Sequence, residues 1–571
     1  MAANRNTETS AKSQDLHRSI DWRGAFWVAS GVPALVLFSI GGIAAIAGKV
    51  AFLVWAVSML MGFIQSFTYA EIAGLYPNKS GGASIYGASA WVRYSKFVAP
   101  LSVWCNWLAW TPVLSLGCSI AAVYILNAYF PTPMVNSPEV LHWLNLHASE
   151  LTGDAAANSA AALSALTPAV RSWSLFAFPL GPVTFTINAN FVIGAVLMLI
   201  VFAIQHRGIL GTANFQKWIG LFVIAVLVLI GVVPVLLGNV DFANFSNIVP
   251  LAQPAAAAAG EWNIGGWTLV LGALFIAAWS TYAFETAICY TSEFKNPATD
   301  TYKAIFYSGL LCLALFILVP FTFQGFLGVE GMIAPSVLDN SGIADILASM
   351  VGGGSLVHAG LVIAIILALL LSIMTAMAGS SRTLYQGSRD GWLPKYLDKV
   401  NDHGAPTRAM WTDLVFNLNI LSAASASDGG VGFFFILAIS NTGYIIFNFL
   451  NLNAGWIHRV DSPNAPRPYR AATILMVLGT GLSFVNAMLL GAGAKVWNPI
   501  ALWAGIVAAA LILPVFIYRH YIQDGGVFPH QDETNLGTTE RRAGILPYVV
   551  LVAGVAVVLL SNWFFTMPTA P

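Results

Sequence analysis

The stretch GGWTLVLGALFIAAWSTYAFETAICY, residues 265–290, gives the strongest single indication of the fold class of this protein. It is long enough to cross a bilayer, because a hydrocarbon core of about 30 Å takes roughly 20 apolar residues in a helix. Its middle, residues 279–285, is polar and ends in the carboxylate of Glu285. A charge at mid-bilayer costs at least about 2.5 kcal/mol on insertion scales, so we expect Glu285 to face the inside of a helix bundle and not lipid.

The composition of the whole chain agrees with a membrane bundle. Of 571 residues, 57% are hydrophobic and 9% are charged, whereas a typical soluble domain has about 25% charged residues. So few charges cannot coat soluble domains, and the apolar content excludes a disordered or collagen-like chain. The formal net charge is zero, which gives no overall attraction to nucleic acid. The composition therefore predicts an all-α polytopic membrane protein.

Thirteen apolar stretches, numbered spans 1 to 13 in chain order, are predicted to cross the membrane. Span 9 is short and contains Asp413, Asn417 and Asn419. The spans cover residues 25–48, 50–74, 100–130, 188–205, 213–237, 266–290, 303–327, 356–380, 409–425, 431–456, 471–491, 498–518 and 546–566.

The spans predict a simple domain organisation. A polar tail precedes a ten-helix core, and further spans follow the core. The predicted segments are the cytoplasmic tail at 1–24, the core at 25–456 with halves at about 25–237 and 266–456, spans 11 and 12 within 471–518, a cytoplasmic loop at 519–545 and an extra span at 546–566.

The basic residues orient the bundle. With the N-terminus in the cytoplasm, all 25 lysines and arginines except Lys49, Arg171 and Lys495 lie on the cytoplasmic side, as the positive-inside rule requires. We therefore expect a multi-pass protein of the cytoplasmic (inner) membrane. The loop at 381–408 is predicted inside, and the loop at 131–187 and the C-terminus outside.

Two spans are predicted to be interrupted. In span 1, Pro33 lacks an N–H and its ring clashes with the carbonyl of Ala29, so residues 30–33 are a candidate break. A simple proline kink is the alternative. In span 6 the polar run 279–285 is the second candidate. Freed backbone groups in a membrane cost several kcal/mol each unless a cavity or a ligand satisfies them.

The two interruptions lie five spans apart. This spacing is typical of an inverted repeat, here spans 1–5 and 6–10, with a binding site between the two broken helices. The predicted substrate-binding residues are Ser30, Gly31, Val32, Pro33, Ala34, Asn106, Trp110, Trp279, Ser280, Thr281, Tyr282, Ala283, Glu285 and Asn441.

Several of these side chains have alternative interpretations. Glu285 either contacts the ligand or caps the freed N–H groups of the half-helix that follows it. Glu71 in span 2 either pairs with loop cations or carries a coupling proton. Asn106 and Trp110 share one face of span 3 and either line the pathway or pack between helices. Asn441 in span 10 is either a gate or a helix–helix hydrogen-bonding group.

The sequence offers no pattern for catalysis or for metal binding. The four cysteines form no C-x-x-C pair, and no H-E-x-x-H, G-x-S-x-G or G-x-x-x-x-G-K-[ST] motif occurs. We expect no catalytic residue, no metal and no organic cofactor. We expect no nucleotide or nucleic acid partner, and the protein is not expected to be an enzyme.

Four ordered motifs resemble those of the amino acid–polyamine–organocation (APC) permeases. YAEIAGLYP at 69–77, followed by SGG at 80–82 and Tyr86, is similar to their span 2–3 signature. EFKNP at 293–297 resembles the loop after span 6. SSR at 380–382 with RDG at 389–391 resembles the span 8 signature, and RPYR at 467–470 resembles the loop before span 11.

The resemblance implies a leucine-transporter-like fold with unwound spans 1 and 6. It implies secondary active transport of an amino acid or small organic amine by alternating access, as a symporter or exchanger, with H+ or Na+ as possible coupling ion. The run 279–287 resembles that of the arginine/agmatine antiporter, which implies that Trp279 is a gate over the substrate; a core aromatic is the alternative. An uncoupled facilitator or channel for a small polar solute is the second candidate function, and an intramembrane enzyme is less favoured.

Two positions depart from the family pattern. Ala34-Leu35-Val36 stands where family members that bind an α-carboxylate usually carry G-S-G. Val223 stands where some members place a lysine in span 5, and Lys217 lies six residues earlier. The thirteenth span also exceeds the usual twelve.

Overall fold

The computed structural model describes residues 16–133, 137–149, 152, 154–181, 183–256, 258–338, 342–426, 431–529 and 540–568. The expected tail at 1–24 is thus described only from residue 16, and the expected loop at 519–545 only outside 530–539.

Helices account for almost all of the secondary structure in the described residues. The α-helices are Trp22–Val28, Val36–Ala47, Ala51–Gly74, Ala83–Trp91, Val98–Tyr129, Pro138–Leu146, Ala155–Leu166, Ala169–Ser172, Ala189–Gln205, Ile209–Leu236, Ile264–Thr281, Pro297–Met332, Pro335–Leu338, Ile343–Met350, Ser355–Arg389, Thr407–Ala424, Val431–Asp461, Thr473–Trp497, Ala501–Ala510, Ile512–Ile517 and Leu546–Phe564. The 3₁₀ segments are Ala29–Leu35, Gly48–Val50, Phe242–Phe245, Ala283–Ile288, Thr291–Glu293 and Lys395–Asp398, and Tyr518–Gln523 is a π-helix.

The prediction of an all-α polytopic membrane protein is confirmed. Within the described part of the chain, 10 helical stretches are long and apolar enough to cross a membrane, and the first, Trp22–Gly74, contains the predicted spans 1 and 2. The predicted spans 4 and 9 coincide with Ala189–Gln205 and Thr407–Ala424, which are not among those 10. The total of thirteen spans therefore stays a prediction.

A small β-hairpin is a feature that the hydropathy pattern did not indicate. Strands β1 (Ser174–Leu180) and β2 (Val183–Asn188) pair antiparallel within the predicted loop at 131–187. Gly181, with φ of +60°, supplies the left-handed turn between them. The side chain of Asn188 then accepts a hydrogen bond from the Phe191 amide at 2.9 Å and caps the helix of span 4.

Span 3, the helix Val98–Tyr129, lies at the centre of the bundle. It packs against the helices of spans 4, 8, 9 and 10, and most of its residues are buried. Spans 2 and 7 pack against each other, and span 11 packs against spans 6, 10 and 13. Side chains of span 3 therefore reach several different helices.

The extra span, Leu546–Phe564, docks onto span 11 through small residues. A Cβ on Gly491 would lie 2.2 Å from the carbonyl oxygen of Val558, so only glycine permits this approach. At the same contact Lys495 Nζ donates to the carbonyl of Asn562 at 2.5 Å. The extra span is therefore an integral part of the bundle.

One end of the bundle, here called the basic end, is formed by residues 16–24, 75–97, 289–297, 390–408 and 457–473. Hydrogen bonds such as that from the Ser19 amide to the Glu293 carbonyl, 2.9 Å, join these segments. Buried ion pairs close this end, and the APC-like motifs supply most of their members. The pairs are Lys79–Asp390, Arg93–Asp461, Arg382–Glu293 and Glu71 with Arg459 and Arg467.

A labelling experiment tests the predicted orientation of the two ends. Single cysteines at Ala157→Cys and Asn464→Cys occupy exposed positions in the 131–187 segment and at the basic end. The four native cysteines are buried and serve as the internal control. In intact cells a membrane-impermeant thiol reagent should label position 157 and not position 464. The reverse pattern would invert the topology.

Candidate substrate site

The helix of span 1 is interrupted where Pro33 was expected to break it. The α-helix Trp22–Val28 gives way to the tighter 3₁₀ segment Ala29–Leu35, all of it buried, and resumes at Val36–Ala47. Pro33 has no N–H to donate within this segment. The interruption leaves backbone carbonyls without their usual helical donors.

Two hydroxyl groups of span 8 satisfy carbonyls of this break. Thr375 Oγ1 donates to the carbonyl of Val28 at 2.6 Å, and Ser372 Oγ donates to that of Gly31 at 2.7 Å. Because Ser372 and Thr375 are three residues apart, they lie on one helix face. Span 8 therefore holds the interrupted part of span 1.

Span 5 adds an amide to the same contact. Gln216 Nε2 lies 3.3 Å from the Val28 carbonyl oxygen and 3.4 Å from Thr375 Oγ1. The neighbouring Lys217 is exposed, and Val223 is buried. Gln216 was missed by the sequence analysis, although a glutamine in an otherwise apolar span was a signal for a buried polar contact.

The helix of span 6 changes character at the second predicted break. The α-helix Ile264–Thr281 ends, and the 3₁₀ segment Ala283–Ile288 follows Tyr282. Ser280 Oγ lies 3.4 Å from the carbonyl oxygen of Leu35 in the span 1 break. The two interruptions therefore touch each other at the centre of the bundle.

The next two predicted side chains face other spans. Thr281 Oγ1 lies 2.7 Å from Ser58 Oγ of span 2, and Tyr282 OH donates to Asn486 Oδ1 of span 11 at 3.0 Å. Successive residues of a helix point about 100° apart, so a run such as 280–282 cannot send all its side chains to one site. Ala283 lies buried just beyond them.

Glu285 is fully buried, and among the described residues the Trp110 indole is its side-chain donor while the backbone amide of Ala83 stabilises the same carboxylate. Trp110 Nε1 of span 3 donates to its Oε1 at 3.1 Å. Its Oε2 has no hydrogen-bond partner among the described residues and faces Gly82, where an added Cβ would lie 3.4 Å away. The carboxylate thus bonds to span 3, and no bond to an amide of Ala283–Ile288 is seen among the described residues.

Trp279 lies one turn before the break and joins three spans. Its Nε1 donates to Ser440 Oγ of span 10 at 2.9 Å and lies 3.2 Å from the Ala109 carbonyl of span 3. Its ring lies 5.8 Å from that of Phe38, centroid to centroid. Nearby, Asn441 Nδ2 donates to the carbonyl of Phe275. A gate and a core aromatic are both compatible with this position.

Comparison with known proteins decides the family. The sequence pattern of the family described as amino acid permease matches residues 20–512. The chain belongs to the amino acid permease family. The match begins before span 1 and ends within span 12, so the extra span lies beyond it.

Three curated relatives are similar to parts of this permease. An uncharacterized transporter of Legionella pneumophila is 25% identical over 267 residues, covering 45% of this chain and 55% of the relative. The branched-chain amino acid permease BcaP of Bacillus subtilis is 23% identical over 235 residues, 40% of this chain and 46% of the relative. BcaP of Lactococcus lactis is 29% identical over 175 residues, 30% and 34% respectively. The matches thus span about half or less of the length of these relatives.

The family motifs of the permease lie mainly at its basic end. Glu71 accepts a hydrogen bond from Arg459 at 2.5 Å, and Arg467 lies 3.2 Å from it. These contacts agree with the alternative in which Glu71 pairs with cations of the loops. Asn106 Oδ1 accepts from Thr383 Oγ1 of span 8 at 3.3 Å. Asn106 therefore bonds to span 8, while Trp110 on the same face bonds to Glu285.

A second buried carboxylate was not among the predicted site residues. Asp413 of span 9 is fully buried, and it accepts hydrogen bonds from Trp107 Nε1 at 2.9 Å, Thr111 Oγ1 at 2.6 Å and Ser380 Oγ at 2.5 Å. Its position near the start of a short, polar span gave little reason to place it inside the bundle. The hydrogen bonds connect spans 3, 8 and 9.

The two carboxylates of the permease differ in how well they are solvated by protein groups. Asp413 accepts three side-chain hydrogen bonds, whereas in the described part of the chain Glu285 accepts one, from Trp110, and is otherwise stabilised by the Ala83 amide. A buried charge is costly unless hydrogen bonds or an opposite charge compensate it. Asp413 is therefore suited to remain ionised as a structural group. Glu285 is suited to gain a further partner during function.

Replacing each carboxylate by an apolar side chain tests this difference. Asp413→Leu should lower the free energy of unfolding by at least about 3 kcal/mol, because each donor left unpaired costs about 1–3 kcal/mol. Glu285→Met leaves the Trp110 indole and the Ala83 amide without this acceptor, but it also removes a buried charge with fewer side-chain donors, so it should cost less. Thermal unfolding of the purified full-length variants measures both, and equal losses would contradict the assignment.

Proposed function

We propose that the permease is a secondary active transporter that moves an amino acid across the cytoplasmic membrane by alternating access. One observation carries this proposal: the two interrupted helices meet at the bundle centre, with Ser280 on the carbonyl of Leu35, beside the under-solvated carboxylate of Glu285. Helix breaks in a membrane are tolerated where they line a binding cavity. The buried ion pairs that close the basic end are the contacts that opening towards that side would have to break.

The favoured substrate is a neutral amino acid with an apolar side chain. Several of the side chains around the breaks are apolar or aromatic, among them Val32, Phe38, Trp110 and Trp279. Two of the relatives are branched-chain amino acid permeases, which supports the same class. Backbone groups at 29–35 and 282–288 are the candidates to bind the substrate's ammonium and carboxylate, since exposed carbonyls attract cations and exposed amides attract anions.

The proposed coupling ion is a proton at Glu285. A buried carboxylate with few hydrogen-bond donors is costly when ionised in an apolar site. Protonation of Oε2 removes that charge and turns this oxygen into a donor that can bind the substrate's carboxylate. Proton and substrate would therefore favour each other's binding, which couples their movement in the same direction.

Uptake by proteoliposomes tests the function and its coupling. Radiolabelled leucine should accumulate when an inward proton gradient is imposed in sodium-free buffer, because proton entry drives the carrier cycle. Glu285→Gln should retain exchange of internal for external leucine and lose the response to the proton gradient. Glu293→Gln is unsuitable as a control because it breaks the ion pair with Arg382, so Glu330→Gln, an exposed carboxylate remote from the breaks, is the matched variant.

Each alternative gives a different result in this assay. Equilibration of leucine without accumulation would indicate a facilitator. Accumulation driven by sodium would show that protonation of Glu285 does not couple transport. Competition by unlabelled isoleucine and valine, with little competition by arginine or agmatine, is expected for an apolar substrate. Strong competition by arginine or agmatine would instead indicate that Glu285 binds a cationic substrate.

The role of Trp279 is tested by removing only its hydrogen bond. Trp279→Phe keeps a ring against Phe38 and loses the bond to Ser440, which costs about 1 kcal/mol. If the indole is a gate, bound leucine should dissociate several-fold faster while the melting temperature changes little. Ser440→Ala is the control, since it removes the same bond from the other side. A melting temperature that falls with unchanged dissociation would assign Trp279 to the core.

A further inference from the structure

We propose that an anionic phospholipid binds in a groove at the basic end, between span 2, span 7 and the loop that precedes span 11. The groove has a volume of about 210 Å³. Its walls are almost entirely apolar. They are formed by Phe67 and Ala70 of span 2, Tyr302, Ile305 and Phe306 of span 7, and Tyr469 of the loop, together with Ser66, whose hydroxyl donates to the Phe63 carbonyl.

The groove lies at the depth of the membrane–water interface. The helix of span 7 begins at Pro297, at the basic end. At 1.5 Å per residue, Tyr302 and Phe306 lie about 7 Å and about 13 Å along it. Phe306 is 36% exposed, so the groove opens toward the hydrocarbon. An acyl chain that enters here therefore leaves its headgroup at the level of the basic end.

Two tyrosines form the mouth of the groove. The rings of Tyr302 and Tyr469 stack, with centroids 5.4 Å apart and an angle of 19° between them. Tyrosine is enriched at membrane interfaces because its ring is apolar and its hydroxyl remains wet. The stack joins span 7 to the loop before span 11 and separates the apolar groove from the charged surface beyond it.

That charged surface carries excess positive charge. Arg459 and Arg467 pair with one carboxylate, Glu71, which directly follows Ala70 of the groove wall, and Arg470 lies close enough to Arg467 to act on its charge. Burial lowers the pKa of the Arg467 guanidinium, Glu71 opposes this shift, and Arg470 lowers the pKa further. Because the neighbouring Arg470 disfavours the charged form of Arg467, an anion bound beside the two guanidinium groups would be stabilising.

Span 7 supplies a further cation on the groove side. Lys303 precedes Phe306 by three residues, so the two are neighbours on one helix face with Lys303 nearer the basic end. Neither Lys303 nor Arg470 has a carboxylate within ion-pair distance in the described part of the chain. A phosphate at the mouth is therefore favoured over a zwitterionic headgroup, because anionic lipids are attracted by clustered lysine and arginine at the membrane surface.

Lipid titration followed by native mass spectrometry tests the proposal on the full-length protein. Dioleoylphosphatidylglycerol should bind at least about tenfold more tightly than dioleoylphosphatidylcholine. The double variant Lys303→Gln/Arg470→Gln should lose this preference. Lys399→Gln/Arg408→Gln, which removes two cations of another loop at the same end, is the matched control and should retain it.

A second pair of variants separates the acyl groove from the charged mouth. Phe306→Ala should weaken the binding of both lipids several-fold without changing their ratio. Leu310→Ala removes a side chain of similar exposure, 39%, one turn further along the same helix and should leave binding unchanged. A photoactivatable phosphatidylglycerol should cross-link to peptides of spans 2 and 7.

Three results would overturn the proposal. Equal affinity for the two lipids would indicate ordinary annular lipid only. An unchanged preference in the folded Lys303→Gln/Arg470→Gln variant, checked by its melting temperature, would remove the mouth as the headgroup site. Cross-links confined to other spans would place the bound lipid elsewhere. None of these results depends on which solute the permease moves.

Discussion

The carbonyl groups of Val28 and Gly31 lie where the helix of span 1 changes to a 3₁₀ segment inside a membrane bundle, and the hydroxyls of Thr375 and Ser372 donate to them. Water cannot supply such bonds in the hydrocarbon region, so an interrupted helix persists only where another helix completes it. This requirement fixes span 8 against span 1. The span 1 break then touches the span 6 break through Ser280 and Leu35.

Span 3 connects this centre to the rest of the bundle through its tryptophans. Trp104, Trp107 and Trp110 follow one another at intervals of three residues, which turns each indole by about 60° from the last. Their N–H groups donate to the carbonyl of Ala508 in span 12, to Asp413 in span 9 and to Glu285 in span 6. Span 3 thus donates hydrogen bonds to one backbone carbonyl and to two buried carboxylates. A shift of span 6 would act directly on the bond between Trp110 and Glu285.

The closed basic end explains why the APC-like motifs are scattered along the chain. Glu71, Glu293, Arg382 and Asp390 come from three separate motifs, yet each belongs to a buried ion pair of this end. Breaking a buried pair leaves an uncompensated charge that costs about 3–5 kcal/mol. Such pairs stabilise the closed arrangement of this end, and under the proposed alternating access they would have to separate together. The motif residues therefore contribute to the closed arrangement of the basic end as well as to the fold.

Hydropathy, the distribution of charge and Pro33 were enough to predict the helical membrane fold, the clustering of basic residues at one end and the two interrupted helices. These signals act locally or along the chain, so they can be read without the fold. The three-dimensional packing was needed to show that Gln216 and Asp413 face the interior, that Thr281 and Tyr282 face spans 2 and 11, and that Trp110 and the Ala83 amide stabilise Glu285. These facts depend on helix rotation and on partners up to several hundred residues away. The composition of the chain and the spacing of its motifs indicate neither the helix rotation nor the distant partners.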